Sequence, residues 1–90
     1  MINELFDTIV ERKKNLPEGS YTTSLYQMGE DEILKKVGEE SVEVIIAAKS
    51  QGNARLVEEI ADLTYHTLVL LAERGLTPAD IAAELEKRKK

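Results

Sequence analysis

Six carboxylates dominate the chemistry available to this chain: Glu39, Glu40 and Glu43 in one segment, and Glu58, Glu59 and Asp62 in another. Within each segment acids recur three and four residues apart, the spacing that stacks side chains one turn apart on a helix face. Like charges so placed repel by roughly 0.2–0.5 kcal/mol per pair, so helix stability gives no reason for the pattern. A turn near Gly52 separates the two segments. Folding about it as an antiparallel helix pair brings Glu43 level with Glu59 and Glu40 level with Asp62. Two acidic pairs converging from facing helices are how helical bundles hold metal ions. Oxygen-only ligands suit hard cations such as Mg²⁺ or Mn²⁺, and Mg²⁺ keeps waters and takes substrate phosphates as further ligands. Glu40, Glu43, Glu59 and Asp62 are therefore candidate metal ligands. Lys35 and Lys36, one turn before the first acids, are placed to meet phosphate charge directly. The competing reading is a solvated acidic face. The apolar neighbours Val42, Val44, Ile60, Ala61 and Leu63 weigh against full solvation.

His66, four residues after Asp62, falls on the same face. It reads either as a core histidine or as a hydrogen-bond partner that orients the Asp62 carboxylate. Tyr65 reads as a packing residue with its hydroxyl near an interface.

The elements that must position these groups are helical from end to end. Ile2, Leu5, Phe6, Ile9 and Val10 follow the spacing of one apolar helix face and predict a helix over about residues 2–14. Pro17 and Gly19 break it. Residues 21–28 form a short helix or an ordered loop ending at Gly29. A long helix follows over about 31–50, whose apolar residues nearly encircle it and leave one polar sector holding Lys36, Glu39, Glu40 and Glu43. Such a helix needs neighbours on several sides, some of them from another subunit. The next helix runs over about 54–74 with Gly75 as its C′ residue. Its stretch Leu63–Ala72 has no formal charge apart from His66, and so predicts a buried central element. Thr77-Pro78-Ala79-Asp80 opens the last helix with an N-cap, proline at N1 and an acid at N3. Ile81 and Leu85 are expected to face inward, and Lys87–Lys90 to oppose the dipole at its end. The expected architecture is a single all-α domain over residues 1–90, a small helical bundle completed by homodimerisation.

Composition supports that reading. Ninety residues with eleven Leu, seven Ile and six Val but only four aromatics allow one modest core, and no cysteine is present to staple it. Thiol catalysis and Cys-type zinc sites are excluded. Residues 30–62 hold nine acids against four bases and account for the whole net charge of −5. That acidic centre argues against a surface tracking a phosphate backbone, so no nucleic-acid partner is expected. The N-terminus shows no signal-peptide pattern, and no apolar run approaches the length of a bilayer span. A soluble, cytoplasmic protein without a membrane partner is the expectation.

The same residues carry a family resemblance. Ser20-Tyr21-Thr22, Leu25-Tyr26 with Gly29, and Ile33-Leu34-Lys35-Lys36-Val37-Gly38-Glu39-Glu40 with Glu43 resemble the phosphoribosyl-ATP pyrophosphatases of histidine biosynthesis. The likeness continues through Ala47-Ala48-Lys49 and Glu58-Glu59-Ile60-Ala61-Asp62-Leu63 to Tyr65-His66, and covers residues 2–88. The ExxE and ExxD pairs are shared with the broader MazG-like all-α nucleotide pyrophosphohydrolases. The Ser20-Tyr21-Thr22 segment and the run from Lys35 to Glu40 are more specific. The resemblance implies a Mg²⁺-dependent homodimer that converts phosphoribosyl-ATP to phosphoribosyl-AMP and pyrophosphate. It maps metal binding onto Glu40, Glu43, Glu59 and Asp62. On this reading Glu39 or Glu43 is the general base, Lys35 or Lys36 stabilises the leaving group, and Tyr21 contacts substrate. The rivals are a house-cleaning nucleoside triphosphate pyrophosphohydrolase and a non-catalytic helical dimerisation module.

Overall fold

The computed structural model describes residues 1–89 and is all-helical among them, with α1 at Ile2–Asn15, α2 at Tyr21–Met28, α3 at Glu30–Ser50, α4 at Gly52–Glu73 and α5 at Pro78–Arg88. The ambiguous segment 21–28 is a helix because Ser20 caps it: its side chain accepts from the Thr23 N–H at 3.2 Å. The α1 terminus closes unexpectedly, on a left-handed Leu16 (φ 47°) rather than on a glycine. Lys90, last of the expected basic run, lies outside the described residues.

Between α3 and α4 only Gln51 intervenes, so the two longest helices fold back along each other. Gly52, at φ +85°, makes this reversal in a backbone region that other residues enter only with strain. At the far end of α4, Leu76 N–H donates to the Leu71 carbonyl at 2.8 Å and Gly75 N–H to the Ala72 carbonyl at 3.2 Å. This is the Schellman closure, with Gly75 left-handed at φ +70°. Lys13 reaches across from α1 and donates from Nζ to the Ala72 carbonyl at 3.0 Å, so a cation caps the negative end of α4. The expected capping box of α5 is present, with Thr77 N–H donating to Asp80 Oδ2 at 2.8 Å.

The core joins Phe6 and Ile9 of α1, Leu25 of α2, Ile33 of α3 and Leu68, Val69, Leu71 and Ala72 of α4. The uncharged half of α4 is thus the central buried element that its sequence predicts. The last helix departs from expectation. Ile81 and Leu85 are 45% and 61% exposed and line an open apolar groove with Ile2, Leu63, Leu68 and Leu71. The α5 helix has no buried residue, because its apolar stripe borders this groove instead of closing over the core. Val42, Ile45 and Ile46 of α3 and Val57 and Ile60 of α4 are also exposed. The chain exposes 6306 Å², whereas a folded monomer of 10.1 kDa exposes about 5300 Å². Its radius of gyration is 14.2 Å, against roughly 12 Å for a compact domain of this length.

Candidate active site

The α3–α4 pairing brings carboxylates from both helices together. Ligand oxygens of Glu40, Glu59 and Asp62 all lie within 4.8 Å of one another. Glu59 is 5% exposed, Glu40 is half-buried and Asp62 opens to solvent. Burial first, and then the negative charge of Asp62, raises the Glu40 pKa above the usual carboxylate range. Two opposite ligands of a Mg²⁺ ion stand about 4.2 Å apart, so a small side-chain adjustment lets this trio share one hard cation. The donor set, three carboxylates with net repulsion, fits such an ion chemically.

Glu43, expected as the fourth ligand, is not in this group. Its charge acts on Arg55, one turn nearer the Gly52 reversal. Arg55 bridges the two helix-four acids: its guanidinium donates to Glu59 Oε1 at 2.5 Å and to Glu58 Oε2 at 2.5 Å. It neutralises the most buried carboxylate of the site and was not singled out in the sequence. The signal was available, since Arg55 precedes Glu58 and Glu59 by three and four residues.

The remaining candidates divide. Lys36 pairs with Glu39 at 3.8 Å and Lys35 with Glu32 at 3.9 Å, both within one turn of α3. Glu39 is half-exposed and lies outside the trio. Tyr21, by contrast, is drawn to the acidic site through His66, its hydroxyl 2.9 Å from Nε2. His66 is 5% exposed and bonds through Nδ1 to the backbone carbonyl of Asp62 at 2.8 Å. Of the two readings of His66, the buried core histidine fits: its ring folds back along α4 onto the carbonyl four residues earlier and not onto the Asp62 carboxylate. Tyr65 stacks beside Tyr21 with ring centroids 6.3 Å apart, and its hydroxyl bonds that of Thr22. Burial, followed by the negative charges of Tyr65, Glu40, Glu32 and Asp62, raises the Tyr21 pKa. Glu32 is a further acid of this surface that the sequence reading omitted.

No helix among the described residues is long and apolar enough to cross a membrane. A family profile described as phosphoribosyl-ATP pyrophosphohydrolase matches residues 2–89. The phosphoribosyl-ATP pyrophosphatase of Pelotomaculum thermopropionicum is 55% identical over 99% of this chain and 91% of its own length. That of Listeria welshimeri is 56% identical over 98% of this chain and 84% of its own length. The whole chain also aligns, at 50% identity, with 44% of the histidine biosynthesis bifunctional protein HisIE of Caldanaerobacter subterraneus.

Proposed function

The chain belongs to the phosphoribosyl-ATP pyrophosphohydrolase family, and on that premise we propose that it hydrolyses the α–β phosphoanhydride of phosphoribosyl-ATP, releasing pyrophosphate and phosphoribosyl-AMP in histidine biosynthesis. The observation that carries the reading is the trio Glu40, Glu59 and Asp62, converging from two helices in a chain similar along nearly its full length to enzymes of that name. It works in the cytoplasm as a homodimer. An exposed surface about 1000 Å² above the monomer norm, together with the bare apolar residues of α3, α4 and α5, supports association.

Glu40, Glu59 and Asp62 would hold a Mg²⁺ ion, with Mn²⁺ as the substitute. When bound, such an ion neutralises the triphosphate and lowers the pKa of a water. The protein's own groups divide the remaining work. Arg55, which bonds Glu58 and Glu59, carries a guanidinium that would suit a phosphate oxygen. Glu43, whose charge acts on Arg55, is the candidate base, with Glu39 as the alternative. Lys36, one turn before Glu40 on α3, and Lys35 beside it are the candidate groups for phosphate charge. Tyr21, whose hydroxyl bonds His66, is the candidate substrate contact from α2.

Purified protein is assayed for pyrophosphate release from phosphoribosyl-ATP in excess Mg²⁺ and again in EDTA. Metal-dependent turnover supports the assignment. A folded protein that ignores phosphoribosyl-ATP and instead cleaves a plain nucleoside triphosphate would overturn the substrate. A protein that cleaves neither would leave only a helical interaction module.

A further inference from the structure

Arg55 stands where helix electrostatics does not ask for a cation. It closes the first turn of α4, at the helix end that carries partial positive charge. It also precedes Glu58 and Glu59, the weaker order for an ion pair between successive turns. What the position serves is the acidic site. The guanidinium spans two carboxylates, donating from Nη1 to Glu58 Oε2 and from Nη2 to Glu59 Oε1, each at 2.5 Å. Glu58 and Arg55 are exposed and Glu59 is buried, so the fork carries positive charge from the surface to the inner carboxylate. Glu59 belongs to both groups. A carboxylate has two oxygens and about four lone-pair positions, so it can keep Arg55 on Oε1 and still face Glu40 and Asp62. In two-metal phosphate enzymes a second ion stands about 3.5–4 Å from the first, and the pair clamps the attacking and leaving oxygens. A divalent ion placed between Glu58 and Glu59 would need the oxygen that Nη2 already contacts. The guanidinium that holds this position is charged at every working pH.

We propose that Arg55 is the resident second cation of the carboxylate site: its guanidinium fills the place between Glu58 and Glu59 that a second divalent ion would take, so that each chain holds a single ion, at Glu40, Glu59 and Asp62. The proposal rests on the reading of that trio as a cation site, and a count of bound ions tests the two separately.

Mn²⁺ bound without substrate is counted from the loss of the free-ion electron paramagnetic resonance signal, in about 0.15 M salt so that exposed acids are screened. The native chain should bind one ion. Arg55→Gln, at equal helix content by circular dichroism, should bind two, because the place between Glu58 and Glu59 is then vacant. Adding Glu58→Gln to Arg55→Gln should remove the second ion and leave the first. Two ions on the native chain overturn the proposal with no variant needed, and leave the trio standing as a cation site. One ion or none on folded Arg55→Gln overturns it as well, since the guanidinium then excludes nothing. A second ion that survives Glu58→Gln is held elsewhere on the acidic surface, and that outcome also refutes the assignment. A native chain that binds no ion removes the trio reading itself, and the proposal with it.

Discussion

Replacing Glu40 by Gln removes one charge from the trio while keeping its size and hydrogen-bonding oxygen. Glu40 faces two carboxylates, but Arg55 neutralises Glu59 at 2.5 Å, so the uncompensated partner is Asp62. Two unit charges at the 4.8 Å limit of the cluster repel by about 3.5 kcal/mol at an effective dielectric constant of 20 and about 0.9 kcal/mol in water. Glu40 is half-buried and Asp62 open to solvent, so the relief on removing the charge lies towards the lower figure, about 1–2 kcal/mol. The raised Glu40 pKa agrees in sign. A carboxyl that is harder to ionise in the folded state than in the unfolded chain destabilises the fold at pH values above its unfolded pKa. Thermal unfolding in EDTA, at matched protein concentration, should therefore show Glu40→Gln more stable, by about 4–8 °C for each kcal/mol. Adding Mg²⁺ should invert the order. At a hundred times its dissociation constant a ligand stabilises the native state by about 2.7 kcal/mol, and the variant gains less of this because one ligand is gone. Turnover should fall by about 10²–10³-fold, the scale for losing one preorganised charge-stabilising group. A variant less stable than native in EDTA, or one that keeps the full Mg²⁺ stabilisation, would refute the reasoning.

Arg55→Met should leave the buried Glu59 carboxylate unpaired and lower the melting temperature in EDTA. Because the competing guanidinium is gone, the rise on adding Mg²⁺ should be larger than in native protein, which calorimetry in both media checks. Ile9→Ala empties a fully buried core position and should cost about 2–5 kcal/mol by urea denaturation. If the proposed dimer forms through the bare faces, charges placed there, as in Ile45→Glu combined with Ile60→Glu, should leave a monomer by sedimentation while helical circular dichroism persists. Tyr26 donates its hydroxyl to the Val69 carbonyl at 2.8 Å, and burial raises its pKa well above the ordinary 10.0. Its stabilising contribution is complete below pH 10 and is lost as pH rises past the unfolded value, a decline that Tyr26→Phe should abolish in alkaline melts.

Much of this fold is local and therefore legible from residue order. Apolar spacing placed three helices within two residues of their ends, and the Thr77–Asp80 box and the Gly75 closure stand where capping chemistry puts them. Each depends on groups about five residues apart or closer. The acid pairs are similar: helical periodicity alone puts Glu40 near Glu43 and Glu59 near Asp62, and one reversal at Gly52 turns the two faces together.

What residue order left open is how each helix is rotated about its own axis against its neighbours. That rotation groups Glu40 with Glu59 and Asp62 but leaves Glu43 outside the group. It brings Tyr21 to His66, and Lys13 to the carbonyl end of α4, across 45 and 59 residues. It also leaves Ile81 and Leu85 on an open groove, although their spacing is that of a buried face. Periodicity specifies which residues share a face. Which surface that face meets depends on the packing of all five helices at once, and in a chain with so small a core, on surface that one copy cannot bury by itself.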